Sequence, residues 1–321
     1  MQLPSAGHSL SSTAKRFAIA MVSLSAVGLA GTYLMRLVPI WPCALVEHFA
    51  VQMAFGGIAV TALAAAMRLR GYFDVAVVAT LLHALPVVRD QVAEHRVVPT
   101  GTNVRVLVLN VHTSSTSYAA VRRLIDDVQP DVLGLVEVDQ HWLDKLAPST
   151  SRFVGKIEHP QDDNFGVALY AREAFEGSIE WLGSALPTAV ANVSVEGTRL
   201  SVILTHPIPP VSSEQLAAQE RQLAAVADRV HELGGPVVVM GDLNATPWSS
   251  PFRDFVARSG LCDSRAGFGL QTSFPASSTI LRIPIDHVLT SCNVGIADRR
   301  IERDVGSDHL PVVVELVVSR E

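Results

Sequence analysis

The chain has 321 residues, of which 49% are hydrophobic and 17% are charged, and its formal net charge is −6. This length allows one large domain or two smaller ones, and three cysteines are too few for a small disulfide-stapled fold. The charge is unevenly divided, because residues 1–100 carry a net charge of +3 and residues 101–321 a net charge of −9. Such an acidic region does not attract nucleic acid through electrostatics alone.

Long uncharged stretches near the N-terminus predict membrane helices. Phe17 to Met35 and Phe49 to Met67 each contain nineteen residues without a charge, close to the roughly 20 that cross a bilayer. Tyr72 to Val88 is a weaker third candidate, because it is shorter and carries Asp74 and His83. The first stretch could instead be a signal peptide, and the stretches could be buried core helices. The second long stretch favours membrane spans.

Basic residues beside these stretches predict their orientation. Lys15 and Arg16 precede the first stretch, and Arg68 and Arg70 lie between the second and the third, so both positions are expected in the cytoplasm. With three spans the rest of the chain lies outside the cytoplasm, and with two it stays inside. We expect a membrane segment with two to three helices at 1–98 and an extracytoplasmic globular domain at 99–321.

Apolar runs and helical periodicity alternate through the rest of the chain. Continuous apolar runs predict strands at residues 103–109, 131–138, 165–170, 199–205, 236–240, 285–289 and 312–318. Helical spacing predicts a helix over 118–128, another that begins at the capping residue Ser212 and ends before Gly234, and a short one that begins at Ser250. Because strands and helices do not alternate strictly, two sheets with outer helices are favoured over a doubly wound parallel sheet.

Polar residues recur where the apolar runs end. These positions are Asn110, Glu137, His206, Asp242 with Asn244, Asp286 with His287, and Asp308 with His309. Charged side chains are rarely buried unless they are paired or bound to a cation. Acids, amides and histidines at the ends of several strands therefore suit a hard cation and a phosphate.

Six motifs occur in an order that resembles the endonuclease/exonuclease/phosphatase superfamily. They are Leu109-Asn110, Val136-Glu137-Val138, Thr205-His206-Pro207, Gly241-Asp242-Leu243-Asn244, Ile285-Asp286-His287 and Ser307-Asp308-His309-Leu310-Pro311. The resemblance covers about residues 103–318. It implies an α/β fold, a four-layered α/β sandwich of two mixed sheets with outer helices, here preceded by an N-terminal transmembrane helical segment. That segment resembles a bacterial membrane-anchored subgroup.

The resemblance implies a site for Mg²⁺ or Mn²⁺. Glu137 would bind the cation directly, and Asn110 and Asp308 would support the metal site, because hard cations prefer oxygen ligands. One position departs from the family pattern. Abasic-site endonucleases carry an acid two residues after the first asparagine, whereas this chain has His112. A second carboxylate ligand from this strand is therefore in doubt.

The resemblance also implies catalytic roles. Asp242 would orient or deprotonate the attacking water, and Asn244 would fix the phosphate or that water. His309 would donate to a non-bridging phosphate oxygen, with its tautomer held by Asp286. His206 would contact the phosphate or protonate the leaving oxygen.

Structural interpretations compete with these roles. Asp242 and Asn244 could form a plain Asx turn, and Asp286 could be a structural partner only. His287 and His112 are expected to be structural or surface residues rather than catalytic ones. Cys262 and Cys292 could pair if the domain lies outside the cytoplasm, although their spacing says nothing about their distance.

The implied function is that of a membrane-anchored, divalent-metal-dependent phosphoesterase, a nuclease-like phosphodiesterase that hydrolyses its substrate by in-line water attack. The alternatives are a phosphatase or a sphingomyelinase-like lipid phosphodiesterase, and a non-catalytic membrane scaffold, against which the retained site residues argue. The expected partners are a phosphate-ester substrate, such as nucleic acid or a lipid headgroup, and the bilayer around the N-terminal helices. The sequence indicates no protein partner.

Overall fold

The computed structural model of the chain describes residues 12–35, 38, 40–91 and 100–319. These residues form two compact units. The first contains residues 12–35, 38 and 49–88, and the second contains residues 40–48, 89–91 and 100–319. The predicted domain boundary between residues 98 and 99 lies outside the described residues.

The helices of the N-terminal region are α1 (Ser12–Met35), α2 (Trp41–Glu47), α3 (Ala50–Ala66) and α4 (Arg70–Gln91). Helices α1 and α4, with 24 and 22 residues, are each long and apolar enough to cross a membrane. Helix α3 has 17 residues and reaches the length of a span only if it is joined to α2 across a break. The stretch Tyr72 to Val88, the weakest candidate by sequence, therefore lies in α4, one of the two long apolar helices. Helix α4 includes polar residues at both ends and is therefore longer than the apolar stretch Tyr72 to Val88 that the sequence shows.

Small and polar residues lie where the helices of the first unit contact one another. A side chain in place of Gly57 would clash with Thr80 of α4 and Leu29 of α1, so the missing side chain lets α3 approach both. His83 is buried, and its Nε2 lies 3.2 Å from the Leu29 carbonyl oxygen and 3.3 Å from Thr32 Oγ1. These contacts explain how an imidazole is accommodated among apolar helices.

Among the described residues, twelve strands form two six-stranded mixed sheets. The strands are β1 (Thr102–Asn110), β2 (Val132–Val136), β3 (Gly155–His159), β4 (Val167–Ala171), β5 (Glu176–Glu180), β6 (Thr188–Val195), β7 (Thr198–Thr205), β8 (Val237–Asp242), β9 (Leu261–Asp263), β10 (Asp286–Ser291), β11 (Gly295–Ile301) and β12 (Val312–Val318). One sheet has the order β11-β12-β1-β2-β4-β3 and the other β5-β6-β7-β8-β10-β9. Each sheet contains one parallel pair, β1 with β2 and β7 with β8.

Alternation along the strands divides the core into three layers of apolar side chains. Val108 of the first sheet and Leu204 and Met240 of the second belong to the core between the two sheets. The other face of the first sheet packs on α5 (Tyr118–Val128) and α6 (Gln140–Thr150), and that of the second on α7 (Ser213–Leu233) and α8 (Ser250–Ser259). This arrangement confirms the predicted four-layered α/β sandwich.

Several local predictions are confirmed, and others are wrong. Helix α5 has the predicted bounds, and Ser212 caps α7 by accepting a hydrogen bond from the Gln215 amide at 3.2 Å. The sequence did not predict α6, β3, β5, β6, β9 or β11. Glu137 was expected inside a strand, but β2 ends at Val136 and Glu137 has a φ of 61°.

The strand pairing brings the polar residues at the strand ends to one end of the sandwich. Strands β1 and β2 run in parallel toward this end, as do β7 and β8. The antiparallel strand β10 begins here, with Asp286 opposite Asp242. Gly241 permits the close approach of β8 to β7, because it has a φ of 142° and a Cβ would clash with the Thr205 carbonyl oxygen.

A disulfide joins Cys262 of β9 to Cys292, just beyond β10. Their Cα atoms are 5.2 Å apart, a separation that a disulfide can span. Cys43 is a buried free thiol. The pairing that the sequence left open is therefore present.

Candidate functional site

Asn110 and Glu137 form the part of the site contributed by the first sheet. Asn110 ends β1 and is fully buried, and its Nδ2 donates to Glu137 Oε1 at 2.7 Å. The left-handed backbone of Glu137 turns the chain away from β2 immediately after the strand ends. Thr113 Oγ1 holds that turn by donating to the Glu137 carbonyl oxygen at 2.9 Å. Burial raises the pKa of Glu137.

Asp242 lies at the centre of the site. It ends β8 and is buried, and its Oδ2 accepts a hydrogen bond from Asn110 Nδ2 at 3.2 Å. The same oxygen is 3.5 Å from His206 Nε2 and 3.6 Å from His309 Nε2. Burial raises the pKa of Asp242 to about 7. A buried carboxylate with this pKa is poised to exchange a proton near neutral pH.

Asn244 occupies the loop that follows Asp242. Its φ of 50° is left-handed, and its backbone amide donates to Asp242 Oδ1 at 2.9 Å. This is the geometry of an Asx turn, so the structural interpretation of the pair and a role in the site coexist. The Asn244 Nδ2 donates to the Pro207 carbonyl oxygen at 3.0 Å and lies 3.2 Å from His206 Nε2. Gln219 of α7 holds the loop from behind by donating to the Leu243 and Asn244 carbonyl oxygens.

His206 is a buried imidazole beside Asp242. Its side chain follows β7 and packs against Phe165, with the ring centroids 5.3 Å apart. Burial lowers the pKa of His206 to about 3. The side chain is therefore neutral at physiological pH in this structure.

His309 and Asp286 form a buried dyad. Asp286 Oδ2 is 2.8 Å from His309 Nδ1, and both side chains are at most 5% exposed. Burial lowers the pKa of His309, but the charges of Asp286 and Asp242 outweigh this effect and raise it to about 10. Burial opposes ionisation of Asp286, yet the charge of His309 keeps the pKa of Asp286 below its usual value. Phe274 covers the imidazole, with a ring separation of 4.6 Å.

Asp308 and His112 form a separate, half-exposed pair. His112 Nδ1 is 2.7 Å from Asp308 Oδ1, and the backbone of His112 is left-handed with a φ of 60°. The His112 amide donates to Asn110 Oδ1 at 2.9 Å, which places the imidazole beside the site. The sequence placed His112 among structural or surface residues. Its position two residues after Asn110 was the signal that could have assigned it to the site.

Two further polar residues of the motifs hold backbone in place. Ser307 Oγ donates to the Asn110 carbonyl oxygen at 2.7 Å and accepts from the His309 amide at 3.1 Å. His287 Nε2 lies 2.7 Å from the Ala245 carbonyl oxygen, and the imidazole is fully buried. This environment agrees with the expected structural role of His287.

The site offers two groups of possible metal ligands among the described residues. Ligand atoms of Glu137, His206 and Asp242 lie within 4.8 Å of one another, as do those of Asp242, Asp286 and His309. In the second group the imidazolium of His309 already compensates the two acids. In the first group, burial raises the pKa of both carboxyl groups, so a divalent cation there would favour their ionised forms. The chemistry of the first group therefore fits a hard cation, with the Asn110 amide adjacent.

The sequence pattern of the Endonuclease/Exonuclease/phosphatase family matches residues 103–309, and the chain belongs to this family. Its members are generally metal-dependent hydrolases of phosphate esters. No curated protein sequence matches the chain.

Three solved structures illustrate the similarity in fold. Humanized D. rerio TDP2 is 17% identical with a TM-score of 0.56, and the match covers 67% of this chain and 98% of that one. The mannosyl-6-phosphatase Bt3783 of Bacteroides thetaiotaomicron is 20% identical with a TM-score of 0.55, over 67% and 99% of the two chains. An endonuclease/exonuclease/phosphatase from Beutenbergia cavernae is 21% identical with a TM-score of 0.55, over 68% and 72%. At these identities the likeness establishes the fold.

Proposed function

We propose that this protein is a membrane-anchored, divalent-metal-dependent phosphodiesterase of the nuclease-like type. The observation that carries the proposal is the convergence of Asn110, Glu137, Asp242 and the Asp286–His309 dyad at one end of the sandwich. These five carboxylate, amide and imidazole groups come from both sheets and are linked by hydrogen bonds and close contacts. Such a cluster combines ligands for a cation with donors for a phosphate.

Glu137, supported by the Asn110 amide, would hold Mg²⁺ or Mn²⁺, and Asp242 and His206 lie close enough to face the same cation. When bound, the cation would neutralise charge on the phosphate and polarise a phosphoryl oxygen. Asp308 was expected to support this site. It pairs with His112, whose backbone amide donates to Asn110 Oδ1, so its support of the metal site is indirect.

The remaining residues supply proton transfer and charge stabilisation. Asp242, kept ionised by the nearby cation, accepts the proton of the attacking water, which Asn244 helps to orient. The His309 imidazolium donates through Nε2 to a non-bridging oxygen, while Asp286 fixes the ring through Nδ1. Because His206 is neutral near pH 7, contact with the phosphate suits it better than protonation of the leaving oxygen.

The proposed location of the catalytic domain is outside the cytoplasm, after a membrane segment within residues 1–98. Residues 40–48 and residues 100–319 belong to one compact unit, which supports placing them on the same side of a bilayer. Three spans in total would then need α3 to cross with its 17 residues alone. The Cys262–Cys292 disulfide also supports an oxidising compartment.

A phosphatase or a lipid phosphodiesterase is the second candidate. The net charge of −9 over residues 101–321 weighs against tight binding of duplex nucleic acid. An apolar N-terminal segment would also keep the enzyme near lipid headgroups. Among the structural neighbours are a mannosyl-6-phosphatase and D. rerio TDP2 complexed with a single-strand DNA product, so the fold itself does not choose between these substrates.

The test is an assay of the full chain in detergent with Mg²⁺ or Mn²⁺. The substrates are bis(4-nitrophenyl) phosphate as a diester, 4-nitrophenyl phosphate as a monoester, single-stranded DNA, and vesicles that contain phospholipid and sphingomyelin. We expect diester hydrolysis that is lost with EDTA and in Glu137→Gln, which keeps the shape of the side chain. Preference for the monoester or for the vesicles would support the second candidate. Metal-independent turnover, or equal rates for wild type and Glu137→Gln, would contradict the proposal.

A further inference from the structure

The short helix α2 and the residue after it pack inside the second compact unit. This unit contains the candidate site and is here called the catalytic unit. Glu47 and His48 are 2% and 6% exposed, although both are polar. Both carboxylate oxygens of Glu47 accept hydrogen bonds from Ser250, one from its backbone amide and one from its Oγ at 2.9 Å. Because Ser250 begins α8, the carboxylate lies at the positive end of a helix dipole. The cost of burying this acid is thereby offset.

His48 binds the same loop at two further points. Its Nδ1 accepts from the Thr246 amide at 3.4 Å, and its carbonyl oxygen accepts from Trp248 Nε1 at 3.0 Å. Burial lowers the pKa of His48 to about 4, so the ring is neutral and Nδ1 can accept. Segment 40–48 therefore satisfies four donors of residues 246–250.

A second attachment lies next to the first. Asp90, near the end of α4, pairs with the buried Arg265 at 2.8 Å and accepts from the Gly267 amide at 3.2 Å. The guanidinium of Arg265 lies 5.9 Å from the ring centre of Trp248. Residues 47–48 and Asp90 thus contact neighbouring residues within the same compact unit.

The bound loop begins at the centre of the site. Residues 243–250 directly follow Asp242 and include Asn244, whose left-handed backbone costs free energy unless the surroundings hold it. Gln219 of α7 holds the first part of this loop. Glu47 and His48 hold the second part. Without them, donors of Thr246, Trp248 and Ser250 would lose these acceptors.

We propose that Glu47 and His48 are positioning residues of the active site. They hold residues 246–250 so that Asn244 keeps its place beside Asp242, and the segment between the first and second apolar helices completes the catalytic unit. The role given to Asn244 rests on the proposed function. The hydrogen bonds by which Glu47 and His48 hold the loop do not.

The test uses the full chain in detergent, with Glu47→Ala, the milder Glu47→Gln, Asn244→Ala and the double variant Glu47→Ala/Asn244→Ala. Glu232→Ala is the matched control, because Glu232 is an exposed acid on α7 whose side chain is 66% exposed. We expect Glu47→Ala to lower kcat about tenfold or more with KM changed less than twofold, since small misplacements near the reacting groups cost rate. In the Asn244→Ala background, Glu47→Ala should cost less than twofold, because its effect acts through Asn244. Additive losses, or an unchanged kcat, would overturn the proposal.

A second measurement does not depend on turnover. Amide hydrogen exchange in residues 243–250 should become at least tenfold faster in Glu47→Ala and faster to a smaller extent in Glu47→Gln, while α5 stays unchanged. Unchanged protection of the loop would overturn the proposal even if the protein proves inactive on every substrate. If instead the loop loosens while wild type shows no hydrolysis, the proposed function fails and the positioning of the loop stands.

Discussion

Replacement of Asp286 by asparagine tests the electrostatics of the buried dyad. The substitution preserves an oxygen that can accept from His309 Nδ1, now 2.8 Å from the carboxylate, but removes the negative charge. In the metal-free protein, burial lowers the pKa of His309, whereas Asp286 and then Asp242 raise it, with a net value of about 10. The variant therefore keeps the geometry of the dyad and removes its largest source of charge stabilisation.

The magnitude follows from the shift. Raising the pKa of His309 from 6.5 to about 10 corresponds to about 5 kcal/mol of preference for the imidazolium. Asp242 remains 3.6 Å from Nε2 in the variant, so part of this preference survives. We expect the pKa of His309 to fall by roughly 2 or more in Asp286→Asn, because burial is then opposed only by Asp242 and Asp308.

The same shift predicts how stability depends on pH. A histidine with a raised pKa in the folded protein contributes stability below its unfolded pKa of 6.5, and this contribution is lost as pH rises through about 10. The pKa of Asp286 is lowered, so its negative charge stabilises the folded protein only at pH values at which this carboxyl group is ionised. Asp286→Asn should therefore be most destabilising near pH 5 to 6 and progressively less so toward pH 10.

Two measurements on chelator-treated protein check this reasoning. Histidine ring NMR follows the titration of His309, assigned with His309→Gln, and urea unfolding at pH 6 and pH 9.5 gives the stability difference. Addition of Mg²⁺ should lower the pKa of His309 in wild type, because a cation beside Glu137 and Asp242 repels the imidazolium. An unchanged titration in Asp286→Asn, or equal destabilisation at both pH values, would refute the assignment of Asp286 as the stabilising charge.

Three further predictions concern metal binding, cooperation and topology. Glu137→Ala should lower turnover by several orders of magnitude and weaken metal binding in calorimetry, while the circular dichroism spectrum is retained. Equal metal affinity in wild type and variant would show that Glu137 is not a metal ligand. Losses of turnover in Asp286→Asn and His309→Gln should be strongly non-additive in a double-mutant cycle, because the two side chains act as a unit, whereas additive losses would make Asp286 a structural residue. An alkaline phosphatase fused after Val98 should be active and a cytoplasmic fluorescent reporter dark, and the reverse pattern would place the catalytic domain in the cytoplasm.

The sequence by itself determined the local elements with the strongest patterns. The amphipathic period of residues 118–128 corresponds to α5, and Val121, Leu124, Ile125 and Val128 are all buried as predicted. Apolar runs identified most of the strands that pair on both sides, since strands buried on both faces are apolar throughout. The edge strand β5 was missed because its side chains are largely exposed, and β6 was missed although it is mostly buried and pairs on both sides.

The order of motifs also determined the family and the residues of the candidate site. Asn110, Glu137, His206, Asp242 and His309 could be selected because each polar residue lies at or near one end of an apolar run. Periodicity reports the local conformation of the chain. It contains no information on which strand ends meet, so the distances among these residues had to come from strand pairing.

The tertiary structure alone decided the contacts between residues that are distant in the chain. His112 meets Asp308, and Glu47 meets Ser250, across separations of 196 and 203 residues. The left-handed turn at Glu137 and the close approach permitted by Gly241 likewise depend on neighbours outside their own segments. A hydrogen bond or an ion pair acts over a few ångströms of space regardless of sequence separation. Polar pairing of this kind is therefore fixed only when the strands and helices pack together.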